Sequence, residues 1–207
     1  MAKSSGLGQA LFVQGYDIST DASALDGAGY NQEMLNITGI DKSATERVAG
    51  RLESTVTVNG WFDNADDKAH EAYRVSNKLP TGDRAVTYLL GTAITEPALF
   101  LNAKQATYDI TNSPGNALAT TASFSSTASV SGFDGVAFGV MLDAGATTYT
   151  STTNGTTVDQ SASSAAGSVA CLQFVSGVSV SSLVAKVQHS SDGGSWSDII
   201  TFSTISA

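Results

Sequence analysis

The apolar and polar positions between Gly50 and Leu90 change period twice, and the rest of the chain is organised around that stretch. Leu52, Ser54, Val56, Val58, Gly60 and Phe62 fall on one face of an extended strand, because side chains alternate across it. Glu53, Thr55, Thr57, Asn59 and Trp61 fall on the other. One face is apolar and the other mostly polar, which predicts a strand packed on a core from one side and wet on the other. Ala65, Ala69, Ala72 and Tyr73 then form an apolar stripe at helical spacing. Asp63 or Asn64 supplies a cap, Asp66 and Asp67 place negative charge in the first turn, and Pro80 with Gly82 ends the element. These signals predict a flanking helix over about residues 64–78, followed by a second strand from Arg84 to Leu90.

Elsewhere the pattern is that of a β protein. Strands are expected at Ala10–Ile18, Ala98–Tyr108, Ala119–Ser131, Gly135–Leu142, Ser168–Ser176, Leu183–His189 and Ile199–Phe202. Residues 1–8 read as a flexible arm. Residues 19–50 show weak periodicity and form a long loop of the kind that is usually functional or partner-bound. Within it, Gln32–Thr38 fits a short strand or hairpin arm and Ser43–Val48 one helical turn. From Asp143 to Ser168, 20 of 26 residues are Ser, Thr, Gly or Ala. Asn154-Gly155 there is a hairpin turn signal, so this segment reads as a hairpin or lobe, with a disordered linker as the alternative. The expected fold is mainly β, a β-sandwich or barrel with one flanking α-helix, in a single domain over 1–207.

Composition sharpens this. Charged residues make up only 14% of the chain, against a norm of about 25%, so much of the surface must be Ser, Thr, Gly, Ala and Asn. Such a surface suits packing against other copies, since little charge has to be desolvated, and it equally suits a plain Thr-rich β protein. The net charge of −9 argues against holding nucleic acid, which is driven by Lys and Arg neutralising phosphates. Cations are also uneven: Lys186 is the only one after residue 110. The lone Cys171 has no internal disulfide partner and reads as a buried, inert thiol on a strand. The first residues lack the apolar core of a signal peptide, and no run approaches the ~18 apolar residues of a spanning helix, so a soluble protein made in a cytoplasm is expected.

No catalytic constellation emerges. His70 and His189 have no second His or Cys at metal spacing, and the nucleophile-elbow, phosphate-loop and dinucleotide motifs are absent. Asp66 and Asp67, adjacent on a helix, do not face each other. The turn Ser190-x-Asp192-x-Gly194-x-Trp196 resembles the Asp-box of sialidases, but in a single copy and with Trp one residue early. It is read as a β-turn stapled by Asp192, with Trp196 packed beneath. No cofactor, metal or catalytic residue is expected.

At LFVQGYDIST (Leu11–Thr20), ITGIDKSATERVAG (Ile37–Gly50) and the strand–helix–strand unit, with A-x-x-x-A-H-E-A and D-R-A-V-T-Y-L-L-G inside it, the chain resembles the tail tube (major tail) proteins of long-tailed bacteriophages. QHSSDGGSWSDI (Gln188–Ile199) looks like the closing hairpin of many of them. The resemblance implies a β-sandwich with a flanking helix and hexameric rings stacked into a tube through which the genome passes. It also implies a place in the virion tail after assembly in the bacterial host cytoplasm. Its partners would be other copies, together with tape measure, terminator and baseplate or tip proteins. DNA would pass without specific binding, and no membrane would be involved.

On that footing, residues 19–50 are expected to reach the next ring, with Asp41, Lys42, Glu46 and Arg47 making polar contacts. Glu53, Thr55, Thr57 and Asn59 are expected to line the lumen, whose negative potential would keep DNA from sticking. A capsid decoration or surface carbohydrate-binding module is the alternative, with the Trp196 hairpin engaging sugar. A carbohydrate-active enzyme would need paired carboxylates in a cleft.

Overall fold

The chain begins with a tight hairpin where the pattern predicts a single strand. In the computed structural model, which describes residues 8–128, 133–143, 148–159, 167–175 and 182–206, Ala10–Val13 (β1) pairs with Tyr16–Asp17 (β2). Gln14 and Gly15 join them, both at positive φ, the two-residue geometry that matches strand twist. Ala22–Asp26 (β3) follows after four residues, and Asn31–Asn36 (β4) pairs with Arg47–Glu53 (β5) as a separate two-stranded hairpin. Only Ser54 separates β5 from Thr55–Trp61 (β6). A single helical turn, Ala69–Ala72 (α1), leads to Arg84–Leu89 (β7), and Pro97–Thr111 (β8), Ala119–Ser126 (β9) and Val136–Val140 (β10) complete the main sheet.

That sheet has the order β2-β1-β7-β8-β9-β6-β3, all neighbours antiparallel, with β10 also on β8. The 15-residue β8 carries two neighbourhoods. Its first half pairs with β7 on one edge and β10 on the other, and its second half pairs with β9 past an irregularity between Gln105 and Thr107. The two edge strands, β2 and β3, are joined by residues 18–21 alone, so the sheet curls round its main core, with a smaller cluster of Phe12, Leu89 and Met141 beside it. Leu11, Val13, Ile18, Val56, Val58, Val86, Leu99, Leu101, Ala122, Phe124 and Val136 fill the main core, with Tyr73 laid across from the helical turn. Full burial of each Val, Leu or Phe contributes about 1.5–3 kcal/mol. The face assignment for β6 holds: Ser54, Val56, Val58 and Gly60 are buried.

The helix expected over 64–78 is reduced to Ala69–Ala72. Asp67 sits at positive φ and stops the helix upstream. Ser76 and Asn77, both at positive φ, form a tight turn in which Val75 and Lys78 exchange backbone hydrogen bonds. Asp66 and Asp67 therefore precede the helical turn, and Asp63 accepts from the Ala65 amide in a local turn. The helical turn is held by distant side chains. Asp21 accepts from the Ala69 amide at 2.9 Å, Arg84 donates to the Ala72 carbonyl, and Gln105 donates to the Tyr73 carbonyl at 2.9 Å. One amide at its start is thus met from the β2–β3 connection, and two carbonyls at its end are met from β7 and β8.

Nearly half of the loop expected over 19–50 is strand: β3, β4 and the start of β5 lie in it. The helical turn expected at Ser43–Val48 is absent, because Arg47 and Val48 pair with Asn36 and Leu35. Residues 1–7 of the expected arm lie outside the described residues, as do 144–147 and 160–166 of the Ser/Thr-rich segment. Residues 148–159 form no strand, so the hairpin expected around Asn154-Gly155 is not built there. Residues 167–175 likewise form no strand. They cover the β1–β7 region through side chains instead. Gln173 accepts from the Gly15 amide at 2.8 Å and donates to the Ala85 carbonyl and the Thr87 hydroxyl. Cys171, only half-buried, sits 3.5 Å from the Thr87 hydroxyl, and burial pushes its thiol pKa up. Lys186–His189 (β11) and Ser197–Thr201 (β12) close the chain as a second hairpin.

Candidate assembly surfaces

Three surfaces distinguish the molecule. The first is the β4–β5 hairpin, in which every residue of β4 is exposed. Met34 and Ile37 are each 59% exposed, Leu35 and Val48 are largely so, and Ile40 at the tip is fully exposed. The tip is ordered nonetheless. The Asn36 carboxamide oxygen accepts from the Thr38 amide and hydroxyl, and the Thr38 hydroxyl accepts from the Glu46 amide at 2.7 Å. Asp41, Lys42 and Glu46 lie in this tip, and Arg47 opens β5. The four predicted contact residues therefore come together on one exposed arm, with Lys42 and Glu46 paired at 3.5 Å. Sequence reasoning fixed on these charges and missed the apolar residues beside them. Their signal was the run MLNITGI, apolar at Met34, Leu35, Ile37 and Ile40 without a face to bury.

The second surface is the outward face of β3, β6, β9 and the second half of β8. Register places its side chains in rows. Thr55, Ser125 and Lys104 form one row, Asp26, Thr57, Ser123 and Thr107 the next, and Ala24, Asn59, Thr121 and Asp109 a third. Side-chain hydrogen bonds knit the rows: Asn59 donates to Asp26 at 2.9 Å, Thr121 donates to Asn59 at 3.0 Å, and Thr107 and Ser123 share one at 2.7 Å. Lys104 is drawn to Asp83 at 2.6 Å and to the Thr81 carbonyl. Thr55, Thr57 and Asn59 lie on this face as predicted, whereas Glu53 sits at the hairpin base, paired with Asn31. The contributions of β8 and β9 were not foreseen; the alternation in TTASFSS is what carried them.

The third is an open groove of about 440 Å³ lined by His70, Tyr73, Arg74, Asn77, Lys78, Leu79 and Tyr108. The His70 ring nitrogen Nδ1 lies 2.7 Å from the Tyr108 hydroxyl, and its ring packs on Phe62 at 4.8 Å. Burial, with a smaller push from the Arg74 charge, lowers the His70 pKa, so the ring is neutral at neutral pH. Burial drives the Tyr73 phenol pKa well above its usual value. The groove thus has an aromatic floor and a cationic rim, Arg74 and Lys78.

At the C-terminal hairpin the Asp192 staple is built as expected: its carboxylate accepts from the Gly194 and Ser195 amides at 2.8 and 2.9 Å. Trp196 is not packed beneath the turn, being 42% exposed. Among the described residues no three His, Cys, Asp or Glu side chains gather to hold a metal, and no helix is long and apolar enough to cross a membrane.

No protein-family model matches the sequence, and no curated protein matches it. Solved structures do match in shape. The sheath/tube terminator of an extracellular contractile injection system in its extended state superposes with a TM-score of 0.50 at 7% identity, over 67% of this chain and 98% of that one. A sheath–tube complex of such a system gives 0.48 at 10% identity, over 67% and 93%. A chain of a gene transfer agent virion gives 0.46 at 11% identity, over 67% and 99%. At such identities the likeness concerns the fold, and the superposition at 0.50 carries it. About two thirds of this chain accounts for nearly all of the terminator, so the remaining third is additional. The chain therefore shares its fold with a chain of that injection-system sheath/tube terminator structure.

Proposed function

We propose that the protein is a structural subunit of a phage tail tube, without enzymatic activity, whose copies form hexameric rings stacked around a channel for genome delivery. The observation that carries this reading is the β4–β5 hairpin: an ordered arm that leaves Met34, Leu35, Ile37, Ile40 and Val48 in water. A monomeric protein rarely exposes such a cluster, and a subunit buries it against its neighbours. In this reading Asp41, Lys42, Glu46 and Arg47 contact the next ring. The rows of Thr, Ser and Asn around Thr55, Thr57 and Asn59 face the channel, with Glu53 at its margin. Asp26 and Asp109 add negative charge to that face and Lys104 is held by Asp83, so the channel repels a DNA backbone as it slides. The tube meets tape measure, terminator and baseplate or tip proteins in the virion, after assembly in the host cytoplasm.

The test is negative-stain electron microscopy of the purified protein across a concentration series. Stacked six-fold rings or hollow tubes are expected, and a variant lacking residues 41–47 is expected to stay folded without forming them. Stable trimers that never stack would overturn the reading in favour of a capsid decoration module. The 42% exposure of Trp196 favours that second reading's sugar-binding hairpin, and measurable glycan binding would mark it.

A further inference from the structure

We propose that the groove beside the helical turn is the socket for the β4–β5 tip of a second copy, so that copies join end to end; this rests on the tube reading and names its contact. The two features are complementary. The tip offers the uncovered Ile37 and Ile40 next to Asp41, whose carboxylate has no ion pair or hydrogen bond among the described residues. The groove offers the aromatic surface of Tyr108 and the exposed Leu79. Beside them stands Lys78, whose ammonium also has no partner among the described residues. Arg74, by contrast, is occupied with the Asn77 carboxamide at 2.7 Å. Ile40 packs over Tyr108 and Leu79, and Asp41 pairs with Lys78.

Position supports the same conclusion. The hairpin runs into β6 at Thr55, whereas the groove lies beside Phe62, one residue past the end of β6 at Trp61. Six steps of about 3.3 Å put these two ends roughly 20 Å apart along the strand. The arm thus springs from the end of β6 away from the socket, the arrangement in which a copy stacked above brings its tip to it. A contact between two different patches is heterologous, and repeated along one direction it builds a stack with no closure of its own.

Cross-linking tests this. With Cys171→Ser removing the natural thiol, Ile40→Cys and Leu79→Cys are made in separate chains, mixed, and treated with a short bis-maleimide. At concentrations where particles form, covalent dimers are expected at about tenfold or more above an Ile40→Cys and Thr111→Cys mixture, because a fixed interface raises effective concentration. Tubes or rings that assemble with no such enrichment overturn the socket while leaving the tube reading intact. Particles that never form at any concentration overturn both. Charge reversal gives a second readout. Asp41→Lys or Lys78→Asp alone is expected to suppress stacking, and the two together in one chain to restore it. A double variant that stays unstacked while its circular dichroism matches the native chain overturns the pairing.

Discussion

The carboxylate of Asp21 accepts a hydrogen bond from the backbone amide of Ala69 across 48 residues of sequence, and this bond fixes where the helical turn starts. Both residues are buried, Asp21 at 7% exposure and Ala69 at 2%. Asp21→Ala leaves a buried N–H without a partner, a loss of about 1–3 kcal/mol. Urea unfolding should show the midpoint falling with the slope unchanged. Asp21→Asn keeps an acceptor in place and should lose less. Equal losses for the two variants would mean that the cap is not what Asp21 contributes.

Gly60 lies where β6 passes the β3 edge, and a Cβ built there would stand 2.2 Å from the Asp21 carbonyl oxygen. That neighbour is backbone, held in turn by the Trp61 amide at 2.8 Å, so it cannot swing away as a side chain would. Gly60→Ala should therefore destabilise the fold by about 1–3 kcal/mol, the usual range for overpacking. It should also loosen the turn at residues 18–21 that joins the two edge strands. Thermal denaturation and amide exchange of Trp61 together would check both effects. Gly29, whose added Cβ meets nothing within 4 Å, is the matched control.

What the sequence discloses and what it hides follow from the range of the forces involved. The alternation from Leu52 to Phe62 reports local burial, and it placed β6, its faces and the polar row of Thr55, Thr57 and Asn59 correctly. The helix failed for the opposite reason. Asp63, Asp66, Lys78 and Pro80 are plausible local stops and caps, yet the turn is held by Asp21, Arg84 and Gln105, which no window around residue 70 contains. Gln14 escaped notice as a turn residue because nothing in its chemistry announces positive φ; Gly15 beside it supplied the signal. The hairpin tip was located by its charges, while its apolar residues lacked an internal partner and so had no period to detect.

Asp192 gives a pH dependence with a defined sign. The Ser195 and Gly194 amides, then the Ser190 hydroxyl, hold its carboxyl at a pKa of about 2, below the usual carboxylate value. A depressed folded-state pKa means that the turn's stabilisation is complete above the ordinary value near 4 and is lost as pH falls through about 2. NMR should therefore show the Gly194 and Ser195 amide signals unchanged from pH 7 to 5 and shifting with a midpoint near 2. In Asp192→Asn that transition should vanish. A midpoint near 4 in the native chain would show that the carboxylate is not held by these donors.

The polar sheet face spans β3, β6, β9 and the second half of β8. Its rows hold Asp26 and Asp109, and Lys104 at their edge is engaged by Asp83, so the field over the face is negative. Replacing Glu53 and Thr55 with Lys turns one margin of this face positive without touching the core, because both residues are exposed. In a tube lined by the face, each ring then presents a band of ammonium groups to passing DNA. Phosphate contacts release counterions, so DNA should be retarded most at low ionic strength and less as salt rises. Particles carrying the double variant should assemble normally and eject their genome more slowly, with the deficit shrinking in higher salt. Native ejection rates at every ionic strength, in particles that contain the variant, would place this face away from the channel.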